Sequence, residues 1–147
     1  MVVRRATWKH SDPLFRGDTA GGVQAPDPAG PPSIVRHVLY LEGAGRASPY
    51  LSLSESRDSA QYFAGSGRVY RTTLAAATAA DVGHLSQREL TRLLQGNGQG
   101  DAAGSRPYQV AQARKYVEQW QEHLFDFRGW IGRDPGAARA TLNSLFA

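Results

Sequence analysis

The 147-residue chain has no cysteine and only one methionine. Without cysteine there are no disulfides, no thiolate nucleophile and no Cys-ligated zinc or iron–sulfur site. No apolar run approaches the roughly 20 residues that a membrane helix needs. The opening MVVRRATWKH lacks an apolar stretch of signal-peptide length and is not read as an export signal. Lysine is scarce as well, with 2 Lys against 15 Arg, and the basic residues are scattered without forming a block. These absences leave the expectation of one soluble, metal-poor domain over residues 1–147 that makes no use of a membrane. Its chemistry must come from oxygen and nitrogen side chains.

Hydrophobic residues make up 41% and charged residues 20%, enough for a core and against wholesale disorder. The net charge is +4. An arginine-rich surface suits a phosphate-bearing ligand, because guanidinium forks match phosphate oxygens, and it equally suits a base-composition bias with no functional meaning. It would also tolerate nucleic acid, weakly and with strong salt dependence.

Residues 1–32 carry Pro13, Pro26, Pro28, Pro31, Pro32 and the pair Gly21–Gly22, which predicts mostly loop with one extended island at Pro13–Gly17. Residues 1–13 are expected to be flexible or peripheral. Ser33 is placed to cap a short helix carrying Ile34, Val35, Val38, Leu39 and Leu41, and residues 43–49 read as a loop. Tyr50–Ser54 alternates like a strand, Ser56 opens a short helix, and Arg68–Leu74 is a second strand by residue type. Ser86 and Glu89 match a capping box, with Leu85, Leu90, Leu93 and Leu94 assigned to the buried face of the helix it starts. A flexible loop is expected from Gly96 to Pro107, then a helix from Tyr108 to Trp120, an extended His123–Phe127 and a short helix from Pro135. Strands and helices in irregular order predict an α+β fold.

Several motifs are missing. Gly96-Asn97-Gly98-Gln99-Gly100 follows a helix and lacks the spacing of a dinucleotide fingerprint. There is no Gly-Lys-Ser/Thr phosphate loop and no Gly-x-Ser-x-Gly elbow. His10, His37, His84 and His123 show no close pairing and no zinc-binding spacing, so no metal ligand is assigned.

Three segments taken in order are more informative: Leu14-Phe15-Arg16-Gly17-Asp18; Tyr50-Leu51-Ser52-Leu53-Ser54 with the helix through Ala60-Gln61-Tyr62-Phe63-Ala64; and Glu122 where a helix meets a strand. Together they resemble the Arg–Ser–Glu pattern of the ADP-ribosyltransferase superfamily, especially toxin domains of bacterial effector proteins. The resemblance spans Leu14 to about Ile131. It implies a small α+β domain with a split, mostly antiparallel β core and peripheral helices. It also implies NAD+ as a substrate, with no permanently bound cofactor. Further implications are a macromolecular acceptor (protein or RNA), an immunity protein that blocks the cleft, and delivery into a target-cell cytoplasm.

In that reading Glu122 stabilises the oxocarbenium-like cation formed when nicotinamide leaves the ribose, by holding the 2′-hydroxyl. Arg16 takes an NAD phosphate or the adjacent ribose. Gly17 lets its backbone approach the nicotinamide carboxamide. Ser52 orients Glu122, Ser54 belongs to the same strand motif, and Tyr62 or Phe63 stacks on the nicotinamide ring. Glu118, one helical turn earlier, is the competing carboxylate. Many members of the family carry Glu or Gln two residues before the catalytic Glu, a position tied to arginine modification. Trp120 stands there in this chain, so arginine modification is not implied.

Each residue also has an ordinary reading. Arg16 is then a strand-end surface arginine, Ser52 and Ser54 lie on the solvent face of a strand, Glu122 ends a solvated helix, and Trp120 plugs the core. One of Tyr62 and Phe63 is then simply core. Two further functions stand beside transfer: NAD hydrolysis on the same fold, and a non-catalytic basic nucleic-acid-binding module. A metal-free ribonuclease built on the histidines and arginines has no spacing in its favour.

Overall fold

In the computed structural model, which describes residues 8–30, 33–39, 48–94 and 107–146, five strands form one antiparallel sheet. In chain order the elements are β1 (Leu14–Asp18), α1 (Ile34–Leu39), β2 (Tyr50–Ser54), α2 (Arg57–Ala64), β3 (Arg68–Thr72), α3 (Leu74–Ala79), β4 (Gly83–Leu85), α4 (Gln87–Leu93), α5 (Pro107–Trp120), β5 (Glu122–Asp126) and α6 (Pro135–Leu145). The strand order is β3-β1-β2-β5-β4. This is a small single α+β domain. None of its described helices is long and apolar enough to cross a membrane.

Strand alternation divides the core between the two faces of the sheet. Leu14, Leu51, Leu53, Tyr70 and Phe125 pack on one face with Val82, Trp130, Leu142 and Phe146. Tyr50 and Leu124 pack on the other with Ile34 and Val38 of α1, Leu90 of α4 and Val110, Ala113 and Val117 of α5. The helices start where side chains satisfy their free N–H groups. Ser56 accepts from Ser59 N, Ser86 and Glu89 form a reciprocal capping box, and Asp134 accepts from Ala137 N.

The sheet is closely paired on both sides of one weak seam. β2 and β5 share five register pairs from Tyr50↔Asp126 to Ser54↔Glu122, and β1 and β3 share five from Leu14↔Thr72 to Asp18↔Arg68. β1 and β2 share only Phe15↔Ser54. The sheet is therefore two ribbons joined at one point, and a cleft opens along the seam.

Some sequence expectations are corrected. The strand after Gly67 stops at Thr72, because the Thr73 hydroxyl accepts from Ala76 N and caps α3, a helix with no strong apolar period in its sequence. Leu85 belongs to the short strand β4, paired with Leu124, and not to the face of α4. Ser54 is buried and not on a solvent face: its hydroxyl donates to the Trp120 carbonyl at 2.7 Å and accepts from Ser56 N at 2.9 Å. The expected loop from Gly96 and most of the loop at 43–49 lie outside the described residues, as do Tyr40 and Leu41 of the expected first helix.

Gly17 is required for a reason beyond any ligand. A β-carbon on it would come to 1.9 Å from the Ala60 carbonyl oxygen and 2.6 Å from Ala64 N, so α2 sits directly on this strand residue. Gly17→Ala should therefore destabilise the fold by about 1–3 kcal/mol, the usual cost of forcing extra volume into a packed contact. Urea denaturation checks this: the midpoint should fall, and an unchanged midpoint would show that α2 yields to the added carbon.

Candidate active site

The cleft along the seam has a volume of about 640 Å³ and is lined by residues of β1, β2, α2 and the α5–β5 junction. That size lies within the roughly 300–1,000 Å³ typical of small-molecule sites. Of the residues singled out in the sequence, Arg16, Gly17, Ser52, Ser54, Phe63 and Glu122 all line it. Tyr62 does not: it lies outside, 71% exposed, with its ring stacked on Trp120 at 5.2 Å and 16°. Glu118 is on the exposed side of α5.

The junction that delivers Glu122 is sharply turned. Gln121 adopts φ +49°, the left-handed region, which ends α5 and starts β5 within one residue. Three hydrogen bonds hold the turn: Ser54 Oγ to the Trp120 carbonyl, Glu55 N to the Gln121 carbonyl at 3.2 Å, and Gln121 N to the Glu118 carbonyl at 3.4 Å. Glu122 then faces Ser54 across the β2–β5 ladder, with Ser52 its diagonal neighbour on the same face.

Glu122 is 7% exposed, and its Oε2 has no hydrogen-bond partner among the described residues. Burial pushes its carboxyl up from 4.5 to about 8, against the opposing pull of the Arg16 guanidinium and of a hydrogen bond from Ser52. Arg16 cannot fully offset burial because its charge is already matched. Its Nε and Nη2 both reach Asp18 Oδ2 at 3.0 Å, and Nη1 donates to the Ser52 carbonyl at 3.0 Å. With five N–H groups on a guanidinium, the contacts among the described residues leave one on each terminal nitrogen for an anionic ligand.

Aromatic rings crowd the mouth of the cleft. Phe63, 49% exposed, meets Trp120 edge-on at 4.9 Å, while Tyr62 covers the indole face. Trp120 is therefore a half-buried ring packed on α2 and not a member of either core cluster.

The histidines depart from the sequence reading. His84 Nε2 and His123 Nδ1 lie 2.8 Å apart, and His123 Nε2 reaches Glu55 Oε2 at 2.7 Å. The pairing of β4 with β5 brings the two rings together, a contact that spacing along the chain does not reveal. Trp8 packs on His123 with ring centroids 4.5 Å apart. His123 is on the sheet face opposite Glu122, so this group is separate from the cleft.

No protein-family model, curated protein or solved structure matches the chain.

The buried ionisable groups give stability a definite pH dependence. Burial holds His84 and His123 down from 6.5 to about 4, aided at His84 by the neighbouring imidazoles and opposed at both by Glu89. Between pH 4.5 and 6.5 the unfolded chain takes up protons at two imidazoles, while the folded chain keeps one on Glu122, so stability rises with pH. Between pH 6.5 and 8 only Glu122 still differs; the folded state holds the extra proton, and stability falls as pH rises. Melting temperature should therefore peak near pH 6.5, and Glu122→Gln should abolish the decline above it. Parallel curves for the two proteins above the peak would show that Glu122 ionises as an ordinary carboxyl.

Proposed function

We propose that this chain is a mono-ADP-ribosyltransferase domain of the effector-toxin type, using NAD+ as substrate and modifying a macromolecule. The observation that carries the reading is a buried carboxylate with an unpartnered oxygen, Glu122, facing a cleft that also holds Arg16 and Ser52. These residues come from three distant segments and converge on the seam between the two ribbons.

The chemistry follows from that arrangement. The free N–H groups of Arg16 hold a phosphate of NAD+, and Phe63 offers a face to the nicotinamide ring. The bond between C1′ and the nicotinamide nitrogen breaks, and its electron pair leaves with nicotinamide. Glu122, ionised, holds the ribose 2′-hydroxyl and stabilises the positive charge developing on C1′ and the ring oxygen. An acceptor nucleophile attacks C1′ and releases its proton, so NAD+ and acceptor become ADP-ribosyl-acceptor, nicotinamide and a proton. Burial strengthens the electrostatic contact but keeps Glu122 protonated in much of the empty protein at neutral pH.

An NAD glycohydrolase performs the same cleavage with water as acceptor. The exposed Tyr62 and Phe63, packed on Trp120 at the cleft mouth, favour transfer, because they offer a docking surface that water does not need.

The test is to incubate the chain with NAD+ labelled in its ADP-ribose half and a cell extract. Wild type should release nicotinamide and label protein or RNA; Glu122→Ala should lose about 100- to 1,000-fold, the usual cost of removing a transition-state electrostatic contact. Glu118→Ala should retain turnover. The acid limb of kcat/KM should rise through about pH 8, where free Glu122 ionises. Nicotinamide release without labelling selects hydrolysis. Absence of NAD+ turnover, with salt-sensitive RNA binding indifferent to Glu122→Ala, overturns both enzymatic readings in favour of a nucleic-acid-binding module.

A further inference from the structure

The side chains behind Ser52 form a chain of hydrogen bonds that ends at Glu122. His37, on α1, reaches Ser52 Oγ with Nε2 at 2.8 Å and Ser48 Oγ with Nδ1 at 2.8 Å. α1 presents this ring to β2 because Ile34, Val35 and Val38 are buried against the α5 side of the core. The ring also meets Tyr50 edge-on, with centroids 5.7 Å apart. The ring therefore has polar contacts at both nitrogens and an aromatic neighbour beside it.

The direction of these bonds can be worked out from donors and acceptors. Ser52 Oγ has one hydrogen and gives it to the Glu122 carboxylate, whose pKa that bond lowers, so it is the acceptor at its contact with His37 Nε2. Nδ1 is then the acceptor and Nε2 carries the ring hydrogen, which it gives to Ser52 Oγ. Ser48 Oγ, which also accepts the Tyr50 N–H at 3.2 Å, gives its own hydrogen to Nδ1. Every donor in the series Ser48, His37, Ser52 points the same way, toward the cleft.

We infer that His37 is a positioning residue that fixes the Ser52 hydroxyl as a donor to Glu122. With His37 absent, the Ser52 hydroxyl is free to rotate away from the carboxylate. Glu122 then faces Arg16 and Asp18 from β1, Ser54 from β2 and the Trp120 end of α5, with one donor fewer. The importance of this chain for turnover rests on the cleft being an NAD+ site; its effect on the Glu122 proton does not.

The test compares His37→Gln, whose amide reaches to about the Nε2 position, with His37→Asn, which is shorter and keeps only the Ser48 side. The first readout is the carboxyl titration of Glu122 by carbon-13 NMR in protein without NAD+. His37→Asn should move the midpoint upward by about one pH unit, a tenfold loss of ionised Glu122 on the acid side. His37→Gln should restore it. Ser52→Ala should give the same upward shift, and adding His37→Asn to it should give no more, because both act through one hydroxyl.

The second readout is the pH profile of nicotinamide release, whose acid limb should move with the titration. Equal midpoints for wild type and His37→Asn, with both proteins folded by thermal melt, would overturn the inference. So would full additivity in the double variant. If His37→Asn fails to fold, the comparison of His37→Gln/Ser52→Ala with Ser52→Ala decides: different midpoints overturn the shared-hydroxyl argument, and equal midpoints support it. A wild type that releases no nicotinamide but shows the titration shifts refutes the proposed function and leaves the role of His37 intact.

Discussion

The pairing of β2 with β5 carries both the core and the cleft. Its register sets Ser54 opposite Glu122, Ser52 opposite Leu124 and Leu53 opposite His123. Because side chains alternate, a slip of one residue would turn Glu122 toward the Leu51 and Leu53 face and bring His123 into the cleft. Such a slip would bury an acid among leucines, so the apolar cost of the wrong register protects the right one. The weak seam between β1 and β2 then becomes useful. The central ribbon is held firmly on its β5 side and meets the β1–β3 ribbon at one point, leaving room for a ligand between them.

Both faces of β5 carry a buried polar chain, and the two are kept apart by the strand itself. Glu122 looks into the cleft, with Ser52, His37 and Ser48 behind it. His123 looks the other way, between Glu55 and His84, beneath Trp8. Buried polar groups of this kind are tolerable when each member finds a partner. The second chain meets that condition at both nitrogens of His123. The first ends at a carboxyl oxygen without a partner among the described residues, and the Arg16 charge beside it is already balanced by Asp18. The asymmetry sets the two groups apart: one is satisfied by its own fold, and the other is left with unmet bonding capacity facing an open space.

Much of this was legible in residue order. The alternation after Glu122, the capping box at Ser86, the caps before α2 and the extended island at Arg16 each rest on a local rule, and the structure has an element at each of those places. Arg16, Gly17, Ser52, Ser54, Phe63 and Glu122 were all named from pattern, and all reach one cleft. Long-range contacts were not legible. His37 meets Ser52 only because α1 folds back on β2, and His84 meets His123 only because a three-residue strand finds the sheet edge. α3 is rich in alanine and carries little period, so only its Thr73 cap announces it, and threonine is as common in strands. The need for glycine at 17 was assigned to a ligand, yet the carbonyl of Ala60 already demands it.

The left-handed residue between α5 and β5 divides one continuous stretch of chain into two independent jobs. Trp120, on the helix side, belongs to the ring surface at the cleft mouth, while Glu122, on the strand side, belongs to the cleft floor. Gln121 lies between them, its φ of +49° held by bonds made through backbone atoms of Trp120, Gln121 and Glu55. None of those bonds uses the indole, which packs instead on Tyr62 and Phe63 of α2. The ring surface at the cleft mouth and the carboxylate in the cleft are thus positioned by different bonds, although only one residue separates them.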